Sequence, residues 1–106
     1  MKLTVLYSPP AQREEFDAHY TSVHVPLALE LPDLVKAETS VVVATPDGSP
    51  APYHRIADLY WADAETMNAS LGSEQGRRTA QDAREIAGRT GSTVTMLVTQ
   101  VDQAPL

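Results

Sequence analysis

Tyr53-His54-Arg55-Ile56-Ala57-Asp58-Leu59-Tyr60-Trp61 is the stretch on which the fold turns. Its residues alternate, with Ile56, Asp58 and Tyr60 on one side and Arg55, Ala57, Leu59 and Trp61 on the other, the period of a β-strand. Upstream, Pro46-Asp47-Gly48-Ser49-Pro50 is a turn, and it follows a strand from Val35 to Thr45 that is β-branched through Val41-Val42-Val43. Downstream the period changes. Asp63 can cap a short helix, Ala64 to Leu71, which Gly72 stops. Ser73 caps a longer one that runs to about Ala87, with Gly76, Ala80, Ala83, Ile86 and Ala87 as an inward stripe of mostly small residues. Thr93 to Val101 is the last strand, and Asp102 to Leu106 a polar tail.

At the other end, Leu3-Thr4-Val5-Leu6-Tyr7 is a strand ended by Ser8-Pro9-Pro10. From Ala11, the residues Phe16, Tyr20, Val23, His24 and Leu27 fall on one face of a helix. Pro26 lacks an N–H and biases Val25 away from helical geometry, so the regular helix is expected to stop near His24, with Leu27 to Leu31 adding one apolar turn. The order is β-α-β-β-α-β. It predicts a single α+β domain over residues 1–106: a ferredoxin-like fold with a four-stranded antiparallel sheet and its helices on one face.

Composition narrows the functional classes. Apolar residues are 42% of the chain and charged residues 21%, which is enough to bury one core and argues against disorder. Fourteen acids against eight bases give a net charge of −6, which repels nucleic acid and anionic lipid, so neither is an expected partner. The chain contains no cysteine, which excludes disulfides, thiolate metal sites and thiol nucleophiles and suits the cytoplasm. No apolar run approaches the roughly 18–20 residues needed to cross a bilayer.

Assembly follows from the strands. Val41-Val42-Val43 and Met96-Leu97-Val98 are apolar without alternation, and Leu59 and Trp61 oppose Ile56 and Tyr60. A sheet with helices on one side only would then leave an apolar face in water, which a second copy packed sheet to sheet would cover. A homodimer with a barrel-like ligand space is expected.

The stretch Phe16-Asp17-Ala18-His19-Tyr20-Thr21-Ser22-Val23-His24-Val25-Pro26-Leu27-Ala28 resembles the signature of EthD-domain proteins, in which a helical Phe and Tyr precede His-x-Pro-Leu and a following Leu-Pro, here Leu31-Pro32. Tyr53 to Tyr60, Ser73-Glu74-Gln75-Gly76 and Val94 to Val98 match in the same order, and Asp33 stands where that family often has Gly. The resemblance implies a dimeric α+β barrel and a setting in the breakdown of ethers and other organic compounds. Its wider superfamily includes cofactor-free monooxygenases, lactone isomerases and polyketide cyclases.

His24 is the leading candidate for chemistry. At the end of the first helix, on the face of Phe16 and Tyr20, its imidazole could move a proton near neutral pH. The alternative is structural, a histidine favoured by the helix dipole and bonded to free carbonyls. Phe16, Tyr20, Tyr60 and Trp61 are candidates to line a pocket for a flat apolar ligand, or else core residues. Tyr60 and Trp61 are adjacent on a strand, so at most one can see the cleft. Asp58, if buried, could act as a base; otherwise it would pair with Arg55 or Lys36.

No metal or cofactor site is expected. His19 and His24 are about 140° out of alignment on an α-helix, and no His-Glu-x-x-His, nucleophile elbow or dinucleotide fingerprint is present. Three functions fit these residues: a cofactor-independent enzyme using His24 for proton transfer or oxygenation chemistry on a small apolar organic compound, a non-catalytic binding or accessory protein with the same cleft, and a dimeric scaffold.

Overall fold

The computed structural model describes residues 1–105, so Leu106 of the expected tail lies outside the described residues. Four strands form one sheet in the order β2-β3-β1-β4, where β1 is Lys2–Tyr7, β2 Lys36–Val41, β3 Arg55–Tyr60 and β4 Val94–Thr99. Every neighbouring pair is antiparallel. The helical segments are α1 (Arg13–His19), a π turn (Tyr20–His24), α2 (Val25–Ala28), α3 (Ala64–Gly72) and α4 (Glu74–Thr90). This is the ferredoxin-like α+β order.

The core fills the space between the helices and one sheet face. Leu3, Val5 and Tyr7 alternate inward along β1, paired across the sheet with Leu59, Ala57 and Arg55 on one side and with Val98, Met96 and Val94 on the other. Phe16, Tyr20, Met67, Ala83 and Ile86 close over them. The helix ends follow their chemistry. Asp63 accepts from the Thr66 N–H and Ser73 from the Gly76 N–H, as N-caps do. Gly91, at φ 77°, ends α4 in the left-handed conformation that favours glycine.

Several expectations are corrected. The first helix does not stop at His24. The Val25 N–H reaches back five residues to the Tyr20 carbonyl, and Val25 remains helical at φ −60°, ψ −47°. This widened turn re-registers the ladder, so Pro26 falls in the first turn of α2, where a missing N–H costs little. β2 is shorter than Val35 to Thr45, although Val35 and Val42 N–H groups still bond Tyr60 and His54 carbonyls at 2.8 and 2.9 Å. α4 continues to Thr90, with Thr79 and Thr90 buried on its inner face where Ala80 is only half-buried.

The free sheet face also differs from expectation. It carries polar Thr4, Glu38, Asp58 and Tyr60 beside an apolar cluster of Leu6, Ile56 and Leu97. Met96, Val98 and Val41 are exposed on the helix side instead, at the sheet's two edges, because the helices cover mainly the central strands. Asp33, at φ 60°, is the one non-glycine residue in a left-handed conformation among those described. Aspartate tolerates that region, but glycine suits it better.

Candidate active site between helix and sheet

The π turn sets the site. In an α-helix His19 and His24 would point apart, but the extra residue in the turn brings both onto Asp82 of α4. Nε2 of His19 lies 2.8 Å from Oδ1 of Asp82, and Nδ1 of His24 lies 2.9 Å from Oδ2. A carboxylate only accepts, so His24 donates from Nδ1 and its Nε2 keeps a lone pair. Tyr7, at the inner end of β1, donates its hydroxyl to that nitrogen at 3.3 Å. His19 has the opposite tautomer, Nε2–H, since its Nε2 faces the Asp82 carboxylate and its Nδ1 the all-donor guanidinium of Arg89 at 3.4 Å.

Burial fixes the protonation states. It pushes the His24 imidazole below its ordinary value, and the hydrogen bond and charge of Asp82 only partly offset this. The neutral form therefore prevails near pH 7. Burial pushes the Tyr7 phenol well up, with the charges of Tyr20 and Asp82 acting in the same direction, so it stays a donor. Tyr20 is also raised by burial, against the lowering pull of Arg55, whose guanidinium sits 5.0 Å from its ring centre.

Two apolar cavities flank this pair. One, of about 130 Å³, runs between β1, β4 and α4, with Met96 at its edge. The other, of about 200 Å³, lies under the π turn and α2, with exposed Leu29 at its edge. Both are lined by Val5, Tyr7, His24 and Leu59, and neither by an Asp, Glu, Lys or Arg side chain. Each is close to the ~150 Å³ of an apolar cavity that accommodates one benzene ring. Both cavities thus lie between the sheet and the helices of one chain.

The sequence-derived candidates separate accordingly. His24 stands at the centre. Tyr20 stacks on it with ring centres 5.6 Å apart and lines the larger cavity. Phe16 stacks on Tyr20 in turn at 5.6 Å, but it is fully buried and borders neither cavity, so it backs the stack. Trp61 is core: its Nε1–H donates to the Pro32 carbonyl at 3.1 Å. Asp58 and Tyr60 lie on the opposite sheet face. There Asp58 accepts from Thr4 at 2.7 Å and pairs with Lys2 at 3.6 Å, rather than with Arg55 or Lys36, and Tyr60 donates to Glu38 at 2.9 Å.

Tyr7, Asp82 and His19 were not singled out by the sequence as parts of a site. The only signal was an acid, Asp82, next to Ala83 on the small-residue stripe of α4, and a tyrosine ending the apolar side of β1. The His19–Asp82–His24 set is used in hydrogen bonds among its own members. Among the described residues, no group of three or more His, Cys, Asp or Glu side chains is arranged to hold a metal ion.

The EthD domain model matches residues 8–90, which include every helix and strand except β1 and β4. This chain belongs to the EthD-domain family. An uncharacterised 11.0 kDa protein from the thcB–thcC intergenic region of Rhodococcus erythropolis is 33% identical over 98 residues, covering 92% of this EthD chain and 91% of that protein. The crystal structure of an EthD family protein from Bacillus halodurans superposes with a TM-score of 0.82 at 26% identity, covering 93% of this chain and 97% of that one. SnoaB, a cofactor-independent oxygenase from Streptomyces nogalater, shares the fold at a TM-score of 0.64 and 13% identity, with 97% and 93% coverage. No described helix of this EthD protein is long and apolar enough to cross a membrane.

Proposed function

We propose that this EthD-domain protein is an enzyme that removes a proton from a small, apolar organic compound, with His24 Nε2 as the base and no cofactor. The observation that carries the reading is the polarised imidazole: its inner N–H is anchored on a carboxylate and its outer lone pair is set in the wall shared by two apolar cavities. That arrangement is what general-base catalysis requires, because a neutral imidazole accepts the proton and Asp82 stabilises the cation formed. The anion left on the substrate can be reprotonated at another atom, which is an isomerisation, or can react with oxygen. Tyr7 would stabilise the developing negative charge by turning its hydroxyl toward it, and Tyr20 would stack on a flat substrate.

A homodimer belongs to the same proposal. Leu6, Ile56 and Leu97 on the free sheet face give a second copy an apolar surface to cover. Catalysis by His24 is tested with His24→Gln against a panel of neutral phenols and 1,3-dicarbonyl compounds, following isomerisation, oxygen uptake and exchange of the acidic proton for deuterium. Loss of turnover with an unchanged Tm supports the base. Unchanged turnover, or compounds that bind without ever reacting, would make the cleft a carrier site instead.

A further inference from the structure

We propose that His19 is a positioning residue that sets the basicity of His24 through their shared carboxylate, Asp82. The proposal rests on the reading of His24 as the base. Three bonds carry it: His19 Nε2 to both oxygens of Asp82, at 2.8 and 3.0 Å, and His24 Nδ1 to Oδ2 at 2.9 Å. One carboxylate therefore serves two imidazoles. It can fully neutralise one imidazolium but not two, so a proton on either ring disfavours a proton on the other.

The surroundings leave this coupling intact. On α1, Glu15 holds Arg89 at 2.8 Å, and Arg89 of α4 faces the outer nitrogen of His19. On β1, Tyr7 faces the outer nitrogen of His24; within the π turn Tyr20 stacks on His24, and Arg55 of β3 lies beyond Tyr20. Of these groups only Asp82 contacts both rings. His19 is also the more accessible of the two, with its side chain 20% exposed against 10% for His24. Through Asp82, the buried base is thus linked to a ring nearer bulk solvent.

The test is two-dimensional ¹⁵N–¹H NMR of the histidine rings in the ligand-free protein, titrated from pH 4 to 9. In the wild type, His24 should take up its proton at a midpoint below that of a free imidazole. In His19→Leu the His24 midpoint should rise by at least about half a pH unit, because Asp82 then serves one ring alone. In His19→Gln, which keeps a side-chain N–H for Asp82, it should rise less, and this variant decides the matter if the leucine protein does not fold. A His24 midpoint that stays put or falls in both variants overturns the proposal, even if Tm drops. If the midpoints move as stated but neither wild type nor variants exchange the proton of any carbon acid, the coupling stands and the catalytic reading fails.

Discussion

Asp82→Asn isolates the group on which His24 depends. The carboxylate accepts the His24 Nδ1–H at 2.9 Å and supplies the charge that partly counters burial of the ring. A hydrogen bond to a charged group contributes about 1.5–3 kcal/mol, roughly twice a neutral one, and about 1.4 kcal/mol corresponds to one pH unit. Asparagine keeps a neutral acceptor but not the charge, so the His24 midpoint should fall by about one unit. The amide can also present one accepting oxygen to only one histidine at a time, so part of the population should change tautomer. Ring ¹⁵N shifts over pH 4 to 8 read both effects directly. A midpoint that is unchanged or raised, with a single Nδ1–H tautomer retained, would refute the assignment of Asp82 as the partner of the base.

Three further predictions concern stability. A Cβ on Gly76 would lie 2.3 Å from the Leu71 carbonyl oxygen and 2.4 Å from that of Ser70, so Gly76→Ala should cost more than about 2 kcal/mol and lower Tm by about 8 °C or more in a thermal melt. Asp33→Gly relieves a left-handed aspartate at φ 60° at a smaller cost in unfolded-chain entropy, and should add about 0.5 kcal/mol, a Tm gain of about 2–4 °C. Because His24 binds its proton less readily folded than unfolded, its contribution is complete above about pH 6.5 and is lost as pH falls through the folded midpoint. Urea unfolding at pH 7.5 and pH 5 should therefore show a larger acid-side loss in wild type than in His24→Gln.

The alternation of Leu3, Val5 and Tyr7 and of Ala57 and Leu59, the turn at Pro46–Pro50 and the caps at Asp63 and Ser73 made the fold legible, because each is a local signal tied to one period or one hydrogen bond. The π turn was not legible. The 3.6-residue periodicity of Phe16, Tyr20 and His24 continues through it, and Pro26 suggested a stop rather than a widened turn. On an unbroken 3.6-residue period, His19 and His24 point apart. Asp82 lies far along the chain from both histidines, and only the docking of α4 brings it to them. The free sheet face was misread because runs such as Met96-Leu97-Val98 look apolar on both sides, whereas the observed register places only Leu97 on that face.

The most direct measurement is a crystal structure of the protein with a neutral phenol bound. The account predicts the ring in a cavity between sheet and helices, its hydroxyl about 3 Å from His24 Nε2 and the Tyr7 hydroxyl turned toward it. A phenol seated instead on the far side of the sheet, against Asp58 and Tyr60, with His24 still bonded to Tyr7, would contradict it.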